Sequence, residues 1–170
     1  MPPLAIHLKT EYRALPPFPW PRFAAPLSLR SIGGYRHVMT SDRLFVYGTL
    51  MRGFDHPMAR LLAGHADFLG EATCHGRLVL VKHYPGLLLS DAASDIVHGE
   101  LFHLRVPEEL LAELDMYEAC GEGFPEPTEY LRRLIDVTLL DGTAEKAWTY
   151  VYNWPVTDLP HIVSGRFLEH

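Results

Sequence analysis

Cysteine is almost missing from this 170-residue chain. Cys74 and Cys120 are the only two, too few for a disulfide framework, so a reducing, cytoplasmic setting is the expectation. Long apolar runs are missing too: none approaches the ~20 residues that a membrane-spanning helix needs, and none is shaped like a secretory signal. Positive charge is in deficit. The net charge of −6 argues against the phosphate backbone of a nucleic acid as partner. No internal repeat is present. His56, His65, His75, His83, His98 and His103 form no i, i+4 ligand pair on a helix, so no metal site is expected. What remains is a composition of 48% hydrophobic and 21% charged residues, that of a single soluble globular domain.

Acid is scarce in one place. Residues 1–38 carry Lys9, Arg13, Arg22, Arg30 and Arg36 against Glu11 alone, a charge of +4 that leaves −10 for the remainder. Seven of the 14 prolines lie there as well. Residues 1–40 therefore read as a poorly ordered, Pro-rich basic extension, and 41–170 as the folded domain. Met39-Thr40-Ser41-Asp42 leads straight into the first strand, so Met39 is a second candidate for the first residue.

That strand is the apolar run Leu44-Phe45-Val46-Tyr47, whose β-formers suit burial on both faces. The chain turns at Gly48. Glycine there permits unusual backbone angles and close approach of a ligand, and the amides of Gly48, Thr49 and Leu50 could converge on one anion. A plain strand-to-loop junction is the alternative. The loop lacks the Lys and second Gly of a nucleotide-binding loop. Asp55-His56-Pro57 then supplies a capping acid and an early proline for a short helix ending near Gly64.

Residues 67–104 read as strands over 68–69, 78–81, 87–89 and 97–104, with Gly99 marking a bulge or a close backbone approach. Pro107–Glu118 is the clearest helix. Leu110, Leu111, Leu114 and Tyr117 form its apolar face, and Glu118 lies only about 50° from the centre of that face. Glu108, Glu109, Glu113 and Asp115 point to solvent by the same count. An inward carboxylate either meets a cation, with Arg132 and Arg133 on the next strand as candidates, or serves as a base in a water-poor cavity. Both readings stand at this point. Cys120 has no local base and reads as a structural thiol. Residues 119–127 form a loop and 129–140 a long strand. Asp141-Gly142 is a hairpin turn, 147–152 returns with Trp148, Tyr150 and Tyr152 on one face, and 153–170 is loop and tail.

Five stretches, in this order along the chain, carry a resemblance: Val46-Tyr47-Gly48-Thr49-Leu50, Gly99-Glu100-Leu101-Phe102, Leu114-Asp115-Met116-Tyr117-Glu118, Tyr130-Leu131-Arg132 followed by Val137, and His161-Ile162-Val163-Ser164-Gly165. Together they resemble the gamma-glutamylcyclotransferase-like superfamily, in its AIG2-like branch, which includes gamma-glutamylamine cyclotransferase. The resemblance covers about residues 43–165. It implies an α+β fold, a small mixed β-barrel with a few short helices, and a cavity for a gamma-glutamyl group. It maps substrate binding onto Tyr47, Gly48, Thr49, Leu50, Met51 and Arg52, and the catalytic base onto Glu118. Relatives commonly place Gly after that acid, where this chain has Ala119.

The implied enzyme is an acyltransferase that cyclises its substrate. The substrate's own alpha-amine attacks its gamma-carbonyl, releasing 5-oxoproline and a free amine or amino acid, with no metal or cofactor. A free glutamate of pKa about 4.3 is a feeble base for an amine of pKa about 8, so the chemistry asks for a buried acid and close positioning. The partner would be a small-molecule gamma-glutamyl compound, with no nucleic acid and no membrane. A non-catalytic small-molecule-binding protein on the same barrel is the other function class.

Overall fold

A computed structural model describes residues 41–121 and 123–169. The extension expected over residues 1–40 lies outside them. The elements run β1 (Arg43–Val46), α1 (Pro57–His65), β2 (Ala66–Val81), β3 (Tyr84–Leu89), β4 (Ile96–Leu104), α2 (Pro107–Tyr117), β5 (Tyr130–Leu139), β6 (Ala144–Tyr152) and β7 (His161–Ile162), with a 3-10 turn at Phe167–Glu169. No helix among the described residues is long and apolar enough to cross a membrane.

Five strands close on themselves in the order β2-β4-β1-β6-β5, and Ala72↔Leu139 and Thr73↔Thr138 join β5 back to β2. β1 runs antiparallel to β4, with Val46 opposite Glu100, and parallel to β6, with Leu44 opposite Trp148. The barrel is therefore mixed. All five strands contribute to one apolar cluster, including Phe45, Ala72, Leu101, Val137 and Ala147, which identifies it as the barrel interior. The alternate residues Leu44, Val46 and Phe102 face outward into a second cluster, which the helices cover with Leu62, Leu110 and Leu114. Period-two alternation along β1 thus serves two cores, which is why its run is apolar without a break.

The structure redraws several elements. The runs at 68–69 and 78–81 belong to one 16-residue strand, β2, whose first part pairs with β4 and whose last part leaves the barrel to pair with β3 and β7. A register shift falls at Phe68/Gly70, opposite β4 rather than in it. Gly99 answers to the close approach instead: a Cβ there would stand 2.2 Å from the Val46 carbonyl oxygen. The tail expected beyond 153 contributes β7 and the 3-10 turn. α1 is capped by His56, whose Nδ1 accepts from the Met58 N–H at 3.2 Å, while Asp55 pairs with Arg60.

Candidate active site

β1 delivers its C-terminal end to the wall of a pocket of about 360 Å³, solvent mouth included. Tyr47 continues into a turn that closes when the Met51 N–H donates to the Gly48 carbonyl at 3.0 Å. The bond leaves the amides of Thr49 and Leu50 at the crest, and among the described residues neither they nor the Gly48 amide donate to a backbone carbonyl outside the regular elements. Gly48 does not adopt the left-handed angles that glycine permits. Its missing side chain matters for another reason, since a Cβ would sit 2.6 Å from Cγ of Pro85 on β3. Glycine lets the β1 turn and β3 meet.

The opposite wall comes from the end of α2. Its last carbonyls are closed by N–H donation from Ala119 to Met116 at 3.3 Å and from Cys120 to Asp115 at 3.0 Å, the paired bonds of a Schellman motif. The motif needs a left-handed residue just past the cap. Ala119 fills that place at φ 52°, a conformation that glycine adopts more readily. Glu118 is the capping residue, with only 6% of its surface exposed, and its side chain lines the pocket.

Tyrosines surround that carboxylate. Tyr47, Tyr84, Tyr130 and Tyr150 line the same pocket, and Tyr117 is linked to the Thr49 hydroxyl at 3.4 Å. Burial pushes all five phenols above their ordinary range, and the negative charge of Glu118 adds to the rise in each. Most are pinned. The Tyr47 hydroxyl donates to the Tyr150 carbonyl at 2.5 Å, Tyr84 to Glu129 at 2.6 Å, Tyr130 to the Pro85 carbonyl at 2.8 Å, and Tyr150 to Asp115 at 2.9 Å. Burial and the neighbouring Asp115 push the Cys120 thiol up to about 12, which keeps it protonated and unreactive at neutral pH.

The structure brings Tyr47, Gly48, Thr49, Leu50 and Glu118 together around one space, and it sends Met51 and Arg52 elsewhere. Arg52 donates to Glu100 from its backbone N–H at 2.8 Å and from Nε at 3.0 Å, and its guanidinium lies 3.1 Å from the centroid of the Phe68 ring. Met51 lines a separate hollow of about 650 Å³ with Glu100, Arg166 and Phe167. Asp115 is not solvent-facing as its helical angle implied. It lies 3.4 Å from Arg132 and accepts from Tyr150, because these two residues face each other across the β5–β6 hairpin that folds over the helix end. Arg133 is exposed.

Pocket residues that the sequence reading did not single out as such are Phe45 and Val46 on β1 and Tyr84, Pro85, Tyr130, Thr149 and Tyr150. Tyr150 belonged to an aromatic stripe read as core. For Thr149 the only signal was a polar residue within the otherwise apolar run 147–152.

A chamber of this kind offers an anion the amides of a tight turn, offers a reacting group a buried carboxylate, and excludes water with aromatic walls. The family profile described as Gamma-glutamyl cyclotransferase, AIG2-like, matches residues 44–169. The chain is 35% identical over 130 residues to the Gamma-glutamylcyclotransferase family protein YtfP of Escherichia coli strain K12, covering 75% of this chain and 96% of YtfP. The relative of the same name from Citrobacter rodentium matches equally, again at 35%. Among solved structures, a mouse AIG2-like protein aligns with a TM-score of 0.57 at 29% identity, covering 71% of this chain and 84% of the mouse chain. YkqA from Bacillus subtilis aligns with a TM-score of 0.58 at 23% identity, over 77% of this chain but 41% of YkqA, and so speaks for the fold alone.

Proposed function

Because this chain belongs to the gamma-glutamyl cyclotransferase, AIG2-like, family, we propose that it is a cyclising acyltransferase acting on a small gamma-glutamyl compound. The observation that carries the reading is Glu118, a carboxylate buried in the pocket wall across from the Gly48–Leu50 turn. Turn amides hold an oxygen of the glutamyl group and fold it so that its alpha-amine meets its gamma-carbonyl. Glu118 takes a proton from the amine as the nitrogen lone pair attacks the carbonyl carbon. The new C–N bond closes a five-membered lactam. The old C–N bond then breaks, the proton passes from Glu118 to the departing nitrogen, and 5-oxoproline and a free amine or amino acid leave. The step uses protein and substrate atoms alone. Pinned tyrosines keep the chamber's shape and its water content low, so little reorganisation accompanies the reaction.

The test is release of 5-oxoproline from a panel of gamma-glutamyl amines, gamma-glutamyl amino acids and glutathione. Turnover of at least one member is the expected result. Binding of a panel member without release would make the protein a binding module on the same barrel, and neither binding nor release would remove gamma-glutamyl compounds from consideration.

A further inference from the structure

Six side-chain hydroxyls line the pocket, those of Tyr47, Thr49, Tyr84, Tyr130, Thr149 and Tyr150. Five have a hydrogen-bond partner within the protein. The sixth, Oγ1 of Thr149, has none among the described residues, although Thr149 is wholly buried. Burying an unpaired hydroxyl costs stability, so such a group calls for an explanation.

The fold does not supply one. Thr149 shares its side of β6 with Ala147, which belongs to the barrel's apolar cluster, and Val151, which packs against it, and valine has the same shape without the cost. Nor does any charge take up the hydroxyl. No Lys, Arg or His among the described residues lines this pocket, since Arg52 is committed to Glu100 and Arg132 lies against Asp115. A ligand with oxygen acceptors must therefore be met here by neutral donors. Thr149 is also well placed along the strand. It follows Trp148, which stands level with Leu44 on the parallel neighbour β1, so it lies about level with Phe45, close to the Gly48 turn and among the residues that line the pocket.

We propose that Thr149 is a specificity-determining residue whose hydroxyl donates a hydrogen bond to an oxygen of the bound glutamyl group. The proposal rests on the cyclotransferase reading. Because the glutamyl part is common to every gamma-glutamyl compound, the contact recognises that part and is indifferent to the leaving amine.

The test uses the full chain and two substitutions. Thr149→Val should raise KM for 5-oxoproline release by about 10- to 100-fold, by the same factor for amine and amino-acid leaving groups, with kcat nearly unchanged. Its melting temperature should equal or exceed that of the parent, because no bond within the protein is lost. Thr149→Ser, which keeps the hydroxyl, should restore KM. A Val variant with the parent's KM would overturn the proposal while leaving the cyclotransferase reading intact. A Val variant that melts well below the parent would also overturn it, by making the hydroxyl structural. A KM effect confined to one class of leaving group would overturn the assignment to the glutamyl part. A parent protein that turns over no panel member would overturn the reading, and this proposal with it.

Discussion

Glu100 and Glu118 are equally buried, each 6% exposed, and they flank the same loop, yet their surroundings differ in kind. Glu100 on β4 holds a cation and a backbone amide, both from Arg52, so its two oxygens are committed to keeping the loop in place. Glu118 at the end of α2 faces a pocket whose polar side chains are phenols and hydroxyls. One acid is a fastener and the other is presented to a cavity. Burial alone does not make a carboxylate a candidate for chemistry; the identity of its neighbours separates the two cases.

The sharpest way to break that contrast is Glu118→Gln, which keeps shape and most hydrogen bonds but cannot take the proton. Turnover should fall by about 10²- to 10⁴-fold, with substrate affinity and melting temperature little changed. A folded Gln variant with undiminished 5-oxoproline release would end the catalytic assignment. Loss of several kcal/mol of stability would instead make Glu118 half of a buried ion pair, as structural as Glu100.

A smaller effect is expected on the other side of the loop. Arg52→Ala removes one of the two donors to Glu100, and because the Arg52 side chain is 49% exposed the cost should be only about 1–2 kcal/mol. Denaturant unfolding would read that loss, and the KM for a gamma-glutamyl substrate should rise modestly as the loop loosens. A large drop in affinity with stability unchanged would return Arg52 to the substrate and erase the distinction between the two sides.

Arg52 also shows where the sequence stops being informative. The resemblance mapped it onto the same target as Gly48-Thr49-Leu50, but a tight turn redirects the chain every one or two residues, so Met51 lines the separate hollow and Arg52 meets Glu100. β1, α2 and the β5–β6 hairpin were legible because their apolar spacing answers to cores that a single face can sense. β2 was not legible as one strand, because its first part closes the barrel and its last part joins β3 and β7, each with its own pattern of exposure. Asp115 was misplaced for a related reason. A helical angle describes an isolated helix, and the hairpin that brings Arg132 and Tyr150 to Asp115 arrives from residues further along the chain. The same distance hid Tyr84 and Thr149, which reach the pocket from β3 and β6 with no local motif to announce them.

The five phenols around Glu118 have a consequence at the alkaline end of the pH scale. Unfolded, each would ionise near pH 10; folded, each holds its proton to higher pH, because burial and the carboxylate both oppose a second negative charge. The folded state therefore keeps protons that the unfolded chain gives up. Their contribution to stability is complete below about pH 10 and is lost as pH climbs toward the raised folded values, by about 1.4 kcal/mol per pH unit for each tyrosine. Several losses of that size acting together exceed the margin of a small domain within one to two pH units. Tyrosinate absorbance from these side chains should thus rise together with the loss of circular dichroism in an alkaline titration. Ionisation of all five near pH 10 with the dichroism intact would contradict it. By this count the chamber should set the upper pH limit of the domain that encloses it.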